Sequence, residues 1–419
     1  MYQQCFNFSS KISSAAEKAM NKTEKIFKGI DSVTEFNQQK MLKAFIDSGV
    51  SERHFVGSTG YGYDDKGRDI LDEVYAKVFG CEDALVRHNF VNGTHAITVA
   101  LFGILRPGDT MVCLTGEPYD TLKSVIGDKC NSSGSLKEFG IKYKQLDLLE
   151  NGSIDYDNIK NVIDSNTKLV YIQRSRGYTL RPSLFCKDIK TISKIVKSFS
   201  HNCVIMVDNC YGEFVETTEP TQCGADLVIG SLIKNPGGGI APTGGYIAGK
   251  KELVKKCAYR LTSPGIGKEV GATLGVSREL FLGAFNAPHT VGEALKTAVF
   301  ASALFENLGY DVFPKSCEKR ADIIQALKLG NKDALISFCK GIQAGSPVDS
   351  FVSPEPWDMP GYDNQVIMAA GTFTLGSSIE LSADAPLREP YAVWLQGGIN
   401  FHSAKIGVMS AAQKIEDLH

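Results

Sequence analysis

Short apolar runs alternate with amphipathic helical segments between residues 84 and 249 of the 419-residue chain. Such runs predict buried strands when they have strand length and are bounded by polar or glycine-rich turns. The predicted strands are Ala84–Arg87, Thr110–Leu114, Ile141–Gln145, Lys168–Gln173, Val204–Val207, Leu227–Ile229 and Gly244–Gly249. Helical segments such as Ile189–Phe199 separate several of them. This order predicts a doubly wound α/β domain around a mostly parallel sheet.

The pattern changes on either side of that region. Residues Ser13–Asp47 predict two polar-rich helices that end near Gly49, and Ala284–Leu308 predicts a long helix that leads out of the α/β region. After Tyr310 the segments YDVFP, VIMAAGTFT, SIELS and YAVWLQGG predict an antiparallel sheet, closed by a helix through Ile415. We therefore expect an N-terminal helical arm (1–55), a large domain (56–295) and a smaller α+β domain (296–419).

Composition and charge narrow the class of partner. The net charge is −2, with 45 Lys and Arg against 47 Asp and Glu, and no long block of one sign favours nucleic acid or a membrane surface. The N-terminus has no apolar stretch of the length that a signal peptide core needs, and no run of about 18 apolar residues, enough for a membrane span, occurs in the sequence. The seven histidines lack metal-ligand spacing, so no metal is predicted. We expect a soluble cytoplasmic enzyme that acts on a small molecule.

A carboxylate and an amine follow two successive predicted strands. Asp208 follows Val204–Val207, and Lys234 follows Leu227–Ile229 with three glycines, Gly237–Gly239, just beyond it. Because parallel strands end at one edge of their sheet, we expect the two side chains to meet there. This pair fits a pyridoxal phosphate (PLP) site, in which a lysine binds the cofactor's aldehyde and an aspartate pairs with the ring nitrogen. Among these groups we expect a lowered pKa for Lys234.

Three further features fit the same cofactor. Ser231 stands three residues before Lys234, where its hydroxyl is expected to contact the phosphate. Gly93, Thr94 and His95 begin an apolar helix, whose first-turn amides favour phosphate. Tyr119 follows a predicted strand and is positioned to stack on the ring. Each feature also has a structural interpretation, as a helix cap, a turn or a loop anchor, and only their combination favours the cofactor.

Five motifs occur in a fixed order: GYGYDDKGRDILDE, VDNCYGEF, SLIKNPGGGIAPTGGYIAG, FNAPHTVGEALK and LREPYAVWLQGG. Together they resemble the bacterial aluminium-resistance protein family, a methionine γ-lyase-like group. That group is similar to the cystathionine-synthase and methionine-lyase enzymes of the aspartate-aminotransferase fold, fold type I. The resemblance covers nearly the whole chain from about residue 50. It implies a PLP-dependent lyase with a mostly parallel large-domain sheet.

The resemblance also implies roles for individual residues. Lys234 would bind the cofactor covalently, Asp208 would pair with its ring, Gly93, Thr94 and Ser231 would hold its phosphate, and Tyr119 would stack and act as an acid. A tyrosine and an arginine from a neighbouring subunit reach the phosphate in relatives. Tyr61 matches the first, but Tyr63 stands at the arginine's place, so the charged contact is missing or comes from Arg68.

Substrate contacts follow from the same resemblance. Arg388 is the candidate for holding the substrate carboxylate, because the family pattern places an arginine there. Arg174 and Arg176 follow the strand Lys168–Gln173 at the predicted ligand edge, where Ser175 or Arg176 would touch the ring's phenolic oxygen. A site shared between subunits implies an obligate homodimer, with a dimer of dimers, a homotetramer, as the larger assembly.

The resulting hypothesis is a PLP-dependent carbon–sulfur lyase that eliminates a β- or γ-substituent from an amino acid. An aminotransferase or racemase with the same cofactor is an alternative. A second alternative is a weakly catalytic PLP-binding protein linked to metal tolerance, and a third, without cofactor, makes Lys234 and Asp208 a structural ion pair.

Overall fold

The computed structural model describes residues 5–128, 133–359 and 362–418, and parts of the predicted arm, large domain and small domain lie outside these ranges. The described residues form ten α-helices and twelve strands. The helices are α1 (Ser10–Asp47), α2 (Lys66–Phe79), α3 (Gly93–Ile104), α4 (Asp120–Ile126), α5 (Ile159–Val162), α6 (Cys186–Phe199), α7 (Lys251–Leu261), α8 (Ser277–Asn307), α9 (Lys332–Ala344) and α10 (Phe401–Glu416). None of these described helices is both long enough and apolar enough to cross a membrane.

The strands fall into two sheets. They are β1 (Asp83–Arg87), β2 (Thr110–Cys113), β3 (Lys142–Gln145), β4 (Thr167–Gln173), β5 (Val204–Asp208), β6 (Leu227–Ser231), β7 (Gly245–Gly249), β8 (Asp311–Phe313), β9 (Gln325–Lys328), β10 (Val366–Ala369), β11 (Ser382–Pro386) and β12 (Ala392–Gln396). Contacts between residues divide the chain into two compact units. Unit 1 comprises Met1–Glu35 and Pro288–His419, and unit 2 comprises Phe36–Ala287.

Unit 2 contains the larger sheet, whose strand order in the described residues is β1-β7-β6-β5-β4-β2-β3. The pairs from β6 through β3 are parallel, and β7 runs antiparallel to its neighbours β1 and β6. The central strands are buried on both faces, which explains their continuous apolar runs. The prediction of an α/β fold with a mostly parallel sheet is confirmed.

Unit 1 contains a smaller sheet whose strand order in the described residues is β10-β11-β12-β9-β8, with antiparallel pairing between neighbours. Its apolar face packs with α9, α10 and the start of α1. The predicted strand SIELS is wrong, because only its last residue, Ser382, lies in a strand. Glu380 explains the difference: its buried carboxylate accepts the N–H groups of Phe373 and Thr374, both at 2.8 Å, so this segment turns. β9 and α9 were not predicted.

The N-terminal segment forms one helix where two were predicted. α1 runs without a break through 38 residues. It ends at Asp47, just before the predicted cap Gly49, whose φ of 58° is left-handed and whose N–H donates to the carbonyl of Ile46. The predicted domain boundaries at 55/56 and 295/296 stay a prediction, and the division between the two compact units falls inside α1 and α8.

Candidate active site

Asp208 and Lys234 lie at the carboxyl ends of neighbouring parallel strands. Asp208 is the last residue of β5, paired with Ile229 of β6, and Lys234 follows the end of β6 by three residues. The Asp208 carboxylate accepts two hydrogen bonds, from the Tyr171 hydroxyl at 3.2 Å and from the Cys210 N–H at 3.1 Å. Burial and the charge of Asp208 raise the pKa of Tyr171 well above its ordinary value, so Tyr171 remains a donor that fixes the carboxylate.

Lys234 is held over an aromatic ring. Its Nζ lies 4.1 Å from the centroid of the Tyr211 ring, a cation–π distance. Burial by itself lowers the pKa of Lys234, but Cys210, Tyr211 and Asp208 favour the ammonium and the net pKa is raised. The expectation of a lowered pKa for Lys234 is therefore wrong, because Cys210, Tyr211 and Asp208 together outweigh the effect of burial.

The start of α3 contacts the end of β6. A Cβ placed on Gly93 would lie 3.3 Å from the Cβ of Ser231 and 3.5 Å from the Sγ of Cys210, so this position has room only for glycine without adjustment. The Thr94 hydroxyl lies 2.9 Å from the hydroxyl of Thr121. The structure thus brings the predicted phosphate turn, at the N-terminus of α3, to the strand that leads to Lys234.

Ser231 carries the clearest sign of a ligand. Its side chain is 1% exposed, and its Oγ has no hydrogen-bond partner among the residues that the structure describes. Buried hydroxyls in folded proteins are nearly always hydrogen-bonded, and leaving one without a partner costs about 1–3 kcal/mol. A hydroxyl in this state beside a helix N-terminus matches one phosphate oxygen. The residues present therefore fit a phosphate-bearing cofactor.

His95 is bonded to the residues that precede α3. Its Nδ1 accepts the N–H of Val91 at 3.1 Å, and its own N–H donates to the capping Asn92 at 2.8 Å. Burial lowers the pKa of His95, which favours the neutral ring. These bonds fix the cap of α3, and the role of His95 in holding phosphate stays a prediction.

Tyr119 precedes the first residue of α4. Its N–H donates to the Gln173 side chain at 2.9 Å, and its ring packs edge-on against Tyr178 with centroids 5.4 Å apart. A Cβ on Gly177 would come within 3.4 Å of the Tyr119 ring. The half-buried ring therefore lies against the segment that follows β4, and its stacking on a cofactor stays a prediction.

The three polar residues after β4 have different environments. Arg174 is fully buried, and its guanidinium donates to Asn209 at 2.7 Å, Gly212 at 2.8 Å, Leu184 at 3.1 Å and Glu216 at 2.7 Å. Its donors are occupied by protein, so its proximity to the ligand edge reflects a structural role. Ser175 and Arg176 are both buried, and the Ser175 carbonyl accepts hydrogen bonds from Gln173 and Arg181. Their contacts with a ligand stay predictions.

The Tyr61 loop is exposed. Tyr61 and Tyr63 are 74% and 65% exposed, and their rings stack on each other at 5.5 Å. Arg68, by contrast, is buried and donates to the carbonyls of Gly62 and Gly271 at 2.8 and 3.1 Å. Two donors of Arg68 are thus used within the protein, and whether Arg68 replaces the family's arginine stays a prediction.

Arg388 lies in unit 1, in the exposed turn between β11 and β12. Its backbone closes that turn, because its N–H donates to Pro386 and its carbonyl accepts from Tyr391. Its role in holding a carboxylate stays a prediction. Among the described residues, no group of three or more His, Cys, Asp and Glu is arranged to hold a metal ion.

Sequence reasoning missed two residues of this site. Tyr171 lies inside a predicted strand, where an aromatic residue signals packing, yet its hydroxyl binds Asp208. Tyr211 lies in the motif VDNCYGEF, and its φ of 72° is left-handed. The motif itself was a signal for Tyr211, but a positive φ at a tyrosine has no signature in a single sequence.

The sheet order, the single antiparallel strand β7 and the acid–lysine pair at the strand ends define a class. The protein has the aspartate-aminotransferase fold, fold type I, with a separate small antiparallel sheet. The structure of a Corynebacterium glutamicum protein named metB, 17% identical with a TM-score of 0.56, shares this fold.

Comparison with known proteins gives the family. The family model described as methionine gamma-lyase matches residues 12–416, and the chain belongs to this family. The structure of a carbon–sulfur lyase involved in aluminium resistance from Clostridium novyi is 56% identical, with a TM-score of 0.95 over 99% of this chain and 98% of that one. The uncharacterized protein YnbB of Bacillus subtilis is 49% identical over 93% of each chain. The L-methionine gamma-lyase of Treponema denticola is 26% identical, over 55% of this chain and 52% of that one.

Proposed function

We propose that this protein is a PLP-dependent carbon–sulfur lyase that eliminates a β- or γ-substituent, through a sulfur atom, from an amino acid. The observation that carries the proposal is the buried hydroxyl of Ser231, which has no hydrogen-bond partner among the described residues and lies beside Gly93. Ser231 ends β6, next to the strand that ends at Asp208, and Lys234 follows it by three residues. These groups match the phosphate, the ring nitrogen and the aldehyde of one molecule.

The reaction class is supported by relatives. The Clostridium novyi protein, which matches nearly the whole chain, is named a carbon–sulfur lyase, and the more distant Treponema denticola protein is named an L-methionine gamma-lyase. Both names describe cleavage of a carbon–sulfur bond. We propose the same type of bond for this chain, with L-cystathionine and L-methionine as the first substrates to test.

Each residue has a distinct task in the proposed reaction. PLP, when bound, supplies a ring that accepts electrons from the substrate's α-carbon. Asp208, fixed by Tyr171, keeps a proton on the ring nitrogen. Lys234 holds the cofactor and then takes the substrate's α-proton at its Nζ. Tyr119 donates a proton to the departing sulfur.

The remaining predicted residues complete the proposed site. Gly93, Thr94 and Ser231 would bind the phosphate through amides and hydroxyls. Tyr61 and Tyr63, which are exposed, would reach the site of a second subunit, so we propose a homodimer as the smallest active form. Sedimentation analysis of the loaded protein tests the assembly: an active monomer would contradict it.

The decisive experiment measures both the attachment of PLP to the protein and the turnover of sulfur amino acids. Purified protein is incubated with PLP, reduced with borohydride and mapped by mass spectrometry, and keto-acid release is measured with each sulfur amino acid. We expect modification at Lys234 and keto acid from at least one substrate. Lys250→Ala is the matched control, because this lysine is exposed and pairs with Asp226. Modification elsewhere overturns the site, whereas modification at Lys234 without keto acid overturns only the substrate class.

A further inference from the structure

The ring of Tyr211 lies against the amine of Lys234. The Nζ of Lys234 is 4.1 Å from the ring centroid, and a cation is attracted to an aromatic face within about 6 Å. By comparison, the Nζ of Lys40 lies 5.8 Å from the centroid of the Phe214 ring. The Lys234 amine is therefore close enough to its ring for direct contact.

The backbone of Tyr211 is left-handed, with a φ of 72°. In this conformation the Cβ of a tyrosine lies close to the following carbonyl oxygen, so the residue is strained. Strained residues persist only where their surroundings hold them, and they cluster at functional sites. The strain at Tyr211 therefore indicates that the position of its ring has a function.

Hydrogen bonds fix the residues on both sides of Tyr211. The N–H of Cys210 donates to the Asp208 carboxylate at 3.1 Å. The carbonyl of Gly212 accepts the buried Arg174 guanidinium at 2.8 Å, and a Cβ on Gly212 would lie 2.7 Å from that guanidinium. A change of backbone conformation at Tyr211 would disturb one of these contacts, so the ring is held in place.

We propose that the face of the Tyr211 ring binds the Lys234 ammonium and that this contact promotes removal of the substrate's α-proton by Lys234. In that step the α C–H bond breaks and an N–H bond forms on Nζ, while the electron pair is left for the cofactor ring to accept. The amine thus becomes an ammonium beside the ring, and a cation–π contact favours the charged form over the neutral one. The inference rests on the proposed function, and Tyr211 is a positioning residue because it acts through Lys234.

Other groups also affect the charge of Lys234. Burial lowers the pKa of Lys234, and Cys210, Tyr211 and Asp208 raise it, in that order. The buried carboxyl of Glu213 also responds to Lys234. All of these groups except Tyr211 stay the same when only the ring at position 211 is altered. A series of rings of similar shape and decreasing attraction for cations therefore isolates the contribution of Tyr211.

The test measures the reactivity of Lys234 in the full chain without PLP. Tyr211 is replaced by phenylalanine and by phenylalanines with increasing numbers of ring fluorines, which weaken the negative face of the ring with little change in its size. Near neutral pH only the small neutral fraction of the amine undergoes reductive methylation. We expect methylation of Lys234, located by mass spectrometry, to become about tenfold faster from Tyr211→Phe to the fully fluorinated ring, equivalent to one pKa unit.

Two other lysines provide internal controls in the same samples. Lys250 is exposed and pairs with Asp226, and Lys40 lies over the ring of Phe214, which is unchanged in the series. Their methylation rates should stay within about twofold in every variant. Tyr211→Phe should resemble the wild type, because it keeps the ring and removes only the hydroxyl. If a fluorinated chain does not fold, Tyr211→Leu replaces it, with Tyr211→Phe as its reference.

A second measurement uses the protein loaded with PLP and a sulfur amino acid. Exchange of the substrate's α-proton with deuterium should slow along the same series, by about threefold, because a weaker base removes the proton more slowly. The fluorines are thus expected to speed methylation of Lys234 and to slow proton removal by it. A residue with only a structural role would not produce these opposite changes.

Three results would overturn the inference. The first is a methylation rate of Lys234 that does not depend on the fluorines. The second is a rate in Tyr211→Phe as high as that with the fully fluorinated ring, which would assign the contact to the hydroxyl. The third is α-proton exchange that does not slow along the series. Failure of PLP to attach at Lys234 would overturn the proposed function instead, and the methylation result does not depend on PLP, so the two failures are distinguishable.

Discussion

Two groups of polar residues lie at the carboxyl ends of β4, β5 and β6, and they differ in what their side chains bind. The Arg174 cluster (Arg174, Asn209, Glu216 and Glu219) is bonded within itself and to backbone carbonyls. The Lys234 site (Gly93, Asp208, Ser231 and Lys234) contains a buried hydroxyl with no partner among the described residues. The hydrogen bonds of the Arg174 cluster lie within the protein, whereas the Lys234 site has a buried donor that a ligand would satisfy.

The difference shows why position at a sheet edge is insufficient evidence for a ligand residue. Both Arg174 and Lys234 follow buried parallel strands, and the sequence places each near the edge where ligands bind. The partners of the two side chains distinguish them. A buried guanidinium destabilises the fold by several kcal/mol unless it finds acceptors in the protein, and Arg174 has found them. Whether the hydrogen-bonding groups of a side chain are satisfied within the protein is therefore a better criterion for a ligand residue than its position at this edge.

The largest expected effect is at Lys234. Lys234→Ala should lower keto-acid formation by about a thousandfold or more, because both cofactor attachment and proton transfer need its amine. The protein should remain folded, since the Lys234 site is not the source of its stability. Turnover assays and thermal unfolding measure the two effects separately. An active Lys234→Ala variant, with Lys250→Ala also active, would remove Lys234 from the mechanism.

The Arg174 cluster should respond in the opposite way. Arg174→Met leaves Glu216 and Glu219 without their cation and should lower the free energy of unfolding by about 3–5 kcal/mol. Urea unfolding measures the change, and the exposed Arg388→Met provides the control, with an expected change within about 0.5 kcal/mol. If Arg174→Met kept full stability and lost only substrate affinity, the structural interpretation of this cluster would be incorrect.

Much of the fold could be predicted because its signals are local. Each strand of the larger sheet overlaps a predicted apolar run, since strands buried on both faces are continuous apolar stretches. The segment SIELS failed because Glu380, a polar residue in an alternating pattern, turns inward to bind two backbone N–H groups. Such a tertiary bond has no periodic signature.

The candidate site was predictable in part. Asp208, Lys234 and Gly93 come together because strand ends and helix starts have sequence signals. The hydrogen bonds that occupy the Arg174 guanidinium were not predictable, because one partner, Glu216, lies 42 residues further along the chain. The raised pKa of Lys234 was not predictable either, because it depends on tertiary neighbours: Cys210 first, and then Tyr211, whose ring lies beside the amine and whose backbone is left-handed.

A smaller effect is expected at Gly93. In Gly93→Ala the new Cβ would meet Ser231 at 3.3 Å, so the start of α3 and the end of β6 must move apart by a few tenths of an ångström. We expect about tenfold weaker PLP binding, roughly 1.4 kcal/mol, measured by equilibrium dialysis. Gly108→Ala is a useful control, since a Cβ there meets nothing within 4 Å, although its φ of 94° adds local strain. Equal losses of affinity in both variants would contradict a specific contact at Gly93.

The smallest effect is expected at Ser231, and it distinguishes a binding residue from a structural one most directly. The substitution Ser231→Ala should have opposite effects on the protein without PLP and on the protein with PLP. Ser231→Ala removes a buried hydroxyl that has no partner among the described residues, so without cofactor the free energy of unfolding should stay constant or rise by up to about 1 kcal/mol. With PLP present, the same change should weaken binding by about fivefold to tenfold, because a phosphate oxygen loses its donor. Unfolding with and without PLP measures both signs on one variant. A loss of stability without cofactor would mean that Ser231 belongs with the Arg174 cluster, as a residue whose bonds lie within the protein.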